Sequence, residues 1–67
     1  MINSNKLKGK LKEKGLTQKE AAKILHMGQS TFCQKINNKR TFSLVEAKSL
    51  SESLDCSKEE YFDIFFA

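Results

Sequence analysis

Sixty-seven residues make one domain, and a chain this short buries only about 60% of the surface that its unfolded form exposes. No apolar run approaches the roughly 20 residues that a bilayer span requires, which excludes a membrane-spanning helix. The net charge of +4 conceals an asymmetry. Residues 1–40 hold ten Lys/Arg against Glu13 and Glu20, a net +8, whereas residues 41–67 hold Lys48 and Lys58 against six carboxylates, a net −4. One end should attract polyanions and the other should not.

With no proline and only Gly9, Gly15 and Gly28, the composition favours an all-α fold with short turns. Residues 1–14 read as the first helix, with Asn3, Ser4 and Asn5 as candidate N-caps. Leu7 and Leu11 mark its buried stripe at i,i+4, and five lysines fill the remaining faces. Gly9 inside it costs on the order of 1 kcal/mol relative to alanine. Gly15 is placed to end it as the left-handed residue after the cap.

Thr17-Gln18-Lys19-Glu20 is a capping box, with Thr17 as N-cap and Glu20 reaching back from the third helical position. The second helix runs to about Leu25 with Ala21, Ala22 and Leu25 inward, and the two alanines let another helix cross closely. His26-Met27-Gly28 interrupts it, His26 being expected in a left-handed turn conformation. A third helix, residues 29–37, has Phe32 and Ile36 at i,i+4 with Cys33 beside them. Asn37-Asn38-Lys39-Arg40 ends it with asparagines that tolerate the left-handed region and two cations near the negative helix end. Ser43-Leu44-Val45-Glu46 is a second capping box, opening a helix to about Leu54 with Ala47, Leu50 and Leu54 on one face. Phe42 just before it is placed as a hydrophobic staple. Ser57-Lys58-Glu59-Glu60 is a third box. It opens a last short helix carrying Tyr61, Phe62, Ile64, Phe65 and Phe66, more apolar side chains than one face of a short helix can bury. Phe62 and Phe65 are expected to close the core over the first helix; Tyr61, Ile64 and Phe66 are candidate homodimer contacts.

Catalysis finds no support in these residues. His26 is the one histidine, no carboxylate pair shares its face, and no nucleophile, base and orienting group can be assembled around it. Cys33 and Cys56 form neither a CxxC pair nor a Cys/His ligand cluster, so both read as reduced thiols of a cytoplasmic protein. No cofactor or metal is expected, and the chain is not expected to be an enzyme. Residues 1–10 are basic but are followed by no apolar stretch, so no signal peptide is expected.

The third helix is different. A helix enters the DNA major groove so that the residues of its first turns meet base edges. Here these are Gln29, Ser30, Thr31 and Gln34, opposite a Phe32/Ile36 core stripe. Glutamine can bond adenine N6 and N7 together, serine and threonine can donate or accept, and the threonine methyl can meet a thymine methyl.

Residues 17–40 resemble the Cro/CI-type (XRE-like) helix-turn-helix repressors of temperate phages. The resemblance rests on Gln18, on Ala22 where the two helices would cross, on Leu25, on Met27-Gly28-Gln29-Ser30, on Phe32 and on the Asn37-Asn38-Lys39-Arg40 exit. It implies a compact five-helix, lambda-repressor-like DNA-binding domain over residues 1–67, with the motif at about 18–37. It further implies that Gln29, Ser30 and Gln34, with Thr31 alongside, contact bases. Gln18, Asn37, Asn38 and Lys39 would contact backbone phosphate, joined by Lys19 and Arg40; Gln18 would also steady Gln29. The implied partner is a double-stranded DNA operator in a bacterial host cell. A homodimer would present its two third helices about 34 Å apart to a palindromic site. The sequence departs from the family pattern at His26, usually glycine, and at Lys35, commonly apolar, which is expected to snorkel along the core edge. The self-cleavage and oligomerisation domain of larger repressors is not expected here. The alternative is an antirepressor or antitoxin-like module that uses the same fold to bind a partner repressor or toxin.

Overall fold

The computed structural model describes residues 1–66. Among these it contains five α-helices and no strand: α1 (Ser4–Glu13), α2 (Gln18–Ile24), α3 (Gln29–Ile36), α4 (Leu44–Ser53) and α5 (Lys58–Phe65). Among the described residues no helix is long and apolar enough to cross a membrane.

Local sequence explains where the helices begin. The three capping boxes are all formed: Thr17, Ser43 and Ser57 each accept the N–H of the glutamate three residues on, and each glutamate accepts the cap's own N–H. That satisfies two otherwise orphaned donors per helix. Asn3 caps α1 through Lys6 N–H (3.1 Å). The helix therefore starts at Ser4 rather than at residue 1. The preceding residues are tied elsewhere, for Ile2 exchanges two hydrogen bonds with the Asn38 amide and the extended Asn3 donates its N–H to the Ile64 carbonyl (2.7 Å).

Four helices end alike. Gly15, His26, Asn38 and Asp55 adopt φ of 70°, 56°, 61° and 52°, and the next residue's N–H returns to the carbonyl five positions back. This is the Schellman closure, which occupies the last orphaned carbonyls. His26 thus takes the left-handed step between α2 and α3, as expected, while Gly28 lies in ordinary extended backbone as the cap of α3. Asp55 is the one such residue that the sequence does not announce.

The helices enclose a single core of Leu7, Leu11, Ala21, Ala22, Phe32, Phe42, Ile36, Ala47, Leu50, Leu54, Ile64 and Phe65. Phe42, the residue before the Ser43 cap, packs back on the domain as expected, its ring meeting Phe32 and Phe65 edge-on at 5.9 Å each. The last helix corrects two assignments. Ile64, expected among dimer contacts, is 3% exposed, and Phe62, expected in the core, is 49% exposed. The reason is helical register: Tyr61, Ile64 and Phe65 share the stripe that faces α1 and α4, which leaves Phe62 and Phe66 four residues apart on the outer side.

Candidate nucleic-acid interface

The candidate surface is built on α3, whose side chains divide by the 100° step of the helix. Phe32 and Ile36 are fully buried. Ser30, Gln34 and Asn37 follow at i, i+4 and i+7 on the opposite side and are exposed, as is Gln29 in the first turn; Thr31 is half-buried. Among the described residues none of Gln29, Ser30, Thr31 or Gln34 spends its side chain on an intramolecular hydrogen bond. Every donor and acceptor of that set is left for a partner.

Three other side chains bolt α3 to its neighbours. Cys33 donates its thiol proton to Gln18 Oε1 of α2 (3.0 Å). Lys35, on the other flank, reaches Glu46 Oε1 of α4 (2.6 Å), with only 13% of its side chain exposed. It runs along the core edge as expected, but ends on a carboxylate instead of in water. That hydrogen bond, and then the Ser43 N–H, hold the Glu46 carboxyl below the ordinary carboxylate range. Asn37 accepts from Lys8 Nζ of α1 (2.9 Å) and donates to the Cys33 carbonyl (2.9 Å). α3 is thereby fixed to α1, α2 and α4 by polar contacts in addition to its buried stripe.

The residues to which the resemblance gives phosphate roles fare differently. Lys19, Lys39 and Arg40 are exposed and without a carboxylate partner among the described residues. Gln18 is half-buried and directs its carbonyl to Cys33, so the implied support of Gln29 by Gln18 is not formed here. Asn38 is a fastener: its Oδ1 accepts Ile2 N–H (2.9 Å) and its Nδ2 donates to the Ile2 carbonyl (3.0 Å). At the other helix ends of this kind, the residue after the left-handed one is Leu16, Met27 or Cys56, packed against the core. At the exit of α3 that place is taken by Lys39, which faces solvent.

The charge distribution sharpens the surface. Lys6, Lys10 and Lys14, four residues apart along one face of α1, pair with Asp63, with Glu13 and Glu60, and with Asp55. The Lys10 ammonium holds the Glu60 carboxyl down to about 2, helped by the Ser57 N–H, and Glu60 and Glu13 in turn raise Lys10. Three of the six carboxylates of residues 41–67 are met in this way, and Glu46 is met by Lys35. Among the described residues the cations of residues 1–40 left unpaired are Lys8, Lys12, Lys19, Lys23, Lys39 and Arg40. The sequence did not single out the Lys8–Asn37 contact or the Lys35–Glu46 strut. The one available signal was the i,i+4 spacing of two lysine stripes, Lys6/Lys10/Lys14 and Lys8/Lys12.

Of the candidate dimer residues, Tyr61 is half-buried against Phe62, Phe65 and Phe66, and only Phe66 is exposed, at 54%. With Met1, Phe42 and Leu44 it lines a groove of about 270 Å³. Both cysteines are free, burial raising the Cys56 thiol above its ordinary value. Among the described residues no group of three or more His, Cys, Asp or Glu side chains is placed to hold a metal ion. Comparison with protein-family models, with curated proteins and with solved structures finds no match.

Proposed function

We propose that this chain is a sequence-specific double-stranded DNA-binding transcriptional regulator of the cytoplasm. In this reading α2, the turn through His26 and α3 act as a helix-turn-helix of the Cro/CI type. The observation that carries it is the exposed face of α3, where Gln29, Ser30 and Gln34 stand next to Lys39 and Arg40, all without side-chain partners among the described residues. A solvated surface that merely kept the protein soluble would not need amide side chains carried on a helix bolted at three points; base reading does, because bidentate contacts tolerate little misplacement. Phosphate contacts from the cations would set register and affinity, and the glutamines would set sequence.

Selection of tight binders from a random duplex pool, followed by gel shifts at two salt concentrations, tests this reading. A preferred sequence should emerge. Gln29→Ala and Gln34→Ala should each lose about 1–3 kcal/mol of discrimination at defined base pairs. Lys39→Ala and Arg40→Ala should weaken all duplexes alike and flatten the salt dependence. Unchanged specificity in the Gln29→Ala/Gln34→Ala double variant would refute the reading roles.

Exposed Leu44, Val45, Phe62 and Phe66 favour a second contact of protein kind, for which we propose a second copy of the chain on a palindromic operator. A monomer at every concentration in sedimentation would refute the dimer. The absence of any preferred duplex would instead favour the antirepressor or antitoxin-like reading, in which the apolar groove grips a partner.

A further inference from the structure

We infer that α1 supplies a phosphate contact of its own: the Lys8 ammonium, aimed by Asn37, engages the DNA backbone at the exit of α3. The inference rests on the DNA-binding reading above and assigns a residue outside the α2–α3 pair to that surface. Lys8 Nζ sits 2.9 Å from Asn37 Oδ1, and the Asn37 amide is itself held by the Cys33 carbonyl on the last turn of α3. Asn37 shares the outer face with Ser30 and Gln34, so the cation is carried to the edge of the reading surface although it belongs to another helix. An ammonium has three donors, and Asn37 takes one of them. The remaining two have no acceptor among the described residues and are free for phosphate oxygens.

The other lysines on α1 sharpen the assignment. Lys6, Lys10 and Lys14 face α5 and the turn that precedes it, and their charge is met by carboxylates. Lys8 lies on a different face and, among the described residues, has no carboxylate within pairing distance. Asn38, to which the resemblance gives a phosphate role, has its amide used at both ends by Ile2. The backbone-contacting set at the exit of α3 is then Lys8, Lys39 and Arg40, with Asn37 as the positioning residue and Asn38 as a strut.

The test is the salt dependence of binding, measured with the whole chain on a duplex selected from the random pool. Each phosphate neutralised contributes about 0.9 to the slope of log K against log salt concentration. Lys8→Gln should lower the slope by about 0.9, so that the advantage of the wild type shrinks about threefold between ~50 and ~200 mM salt. Lys8→Arg should keep the slope. Lys6→Gln, which removes an equal charge from the α5 side, should leave it unchanged, and thermal melts of all three should show them folded. A slope in Lys8→Gln equal to that of the wild type, or an equal drop in Lys6→Gln, overturns the contact while the DNA-binding reading stands. Failure of the wild type itself to bind any duplex overturns both.

Discussion

Replacing Glu46 with alanine should expose how much of the stability of α3 comes from α4. Glu46 Oε1 serves two donors at once, the Ser43 N–H at 2.9 Å and the Lys35 ammonium at 2.6 Å. Loss of the first removes half of a capping box; Ser43 Oγ still holds the N–H of residue 46, so about 0.5–1 kcal/mol goes. Loss of the second strands an ammonium whose side chain is 13% exposed, while its partner is 25% exposed. That places the pair between an open surface bridge, worth about 0–1 kcal/mol, and a buried one, whose rupture costs about 3–5 kcal/mol. A loss of about 1–1.5 kcal/mol is the expected share, since Lys35 can swing partly into water. The sum is about 2 kcal/mol, which in a domain of this size lowers Tm by about 8–16 °C. Thermal melts followed by circular dichroism at neutral pH measure it. Lys35→Met removes the charge together with its need for a partner and should change stability by less than about 1 kcal/mol. In that background Glu46→Ala should cost only the cap. If Glu46→Ala costs as much in the Lys35→Met background as in the wild type, the strut carries no energy and the account of how α3 is held is wrong.

Acid should destabilise the fold over a defined window. Glu60, Glu46 and Glu20 all have carboxyl pKa values lowered from the ordinary 4.5, to about 2 for Glu60, by their Lys10, Lys35 and Thr17 hydrogen bonds. The unfolded chain therefore takes up protons first, and the stabilisation is full above about 4.5 and lost as pH falls toward 2. Tm measured across that range should fall, and Glu60→Gln should flatten the fall; a level profile would contradict the pairing. The glycines should respond with opposite signs. Gly15 holds φ of 70° with open space where a Cβ would stand, so Gly15→Ala costs about 1–2 kcal/mol from the backbone alone. Gly9 is mid-helix with the same free space, so Gly9→Ala should stabilise by up to about 1 kcal/mol. Denaturant melts giving both changes the same sign would rule out this account of the two sites.

What sequence alone determined here is what four or five consecutive residues can encode. The three capping boxes are closed local rings, Thr17 to Glu20, Ser43 to Glu46 and Ser57 to Glu60, and each forms as written. The left-handed exits at Gly15, His26 and Asn38 follow from residue type and position; Asp55 escaped because aspartate ends helices less distinctively than glycine or asparagine. The i,i+4 apolar pairs, Leu7/Leu11 and Phe32/Ile36, located the core stripes of α1 and α3 and with them the outward face of Gln29, Ser30 and Gln34. Where the local pattern was degenerate, only tertiary packing could decide. Five apolar residues within 61–66 fit more than one register, and the choice that buries Ile64 and exposes Phe62 is made with α1, whose incoming strap bonds the Ile64 carbonyl from Asn3. The lysines of α1 look interchangeable in sequence until α5 brings its carboxylates to one side. Lys10 then becomes a structural cation and Lys8 is left unneutralised beside Asn37. The same holds for Asn38, which has the composition of a phosphate ligand but meets Ile2, 36 residues away, and becomes a fastener. Charge and amide groups are defined by residue type, but their availability is set by which distant group reaches them first.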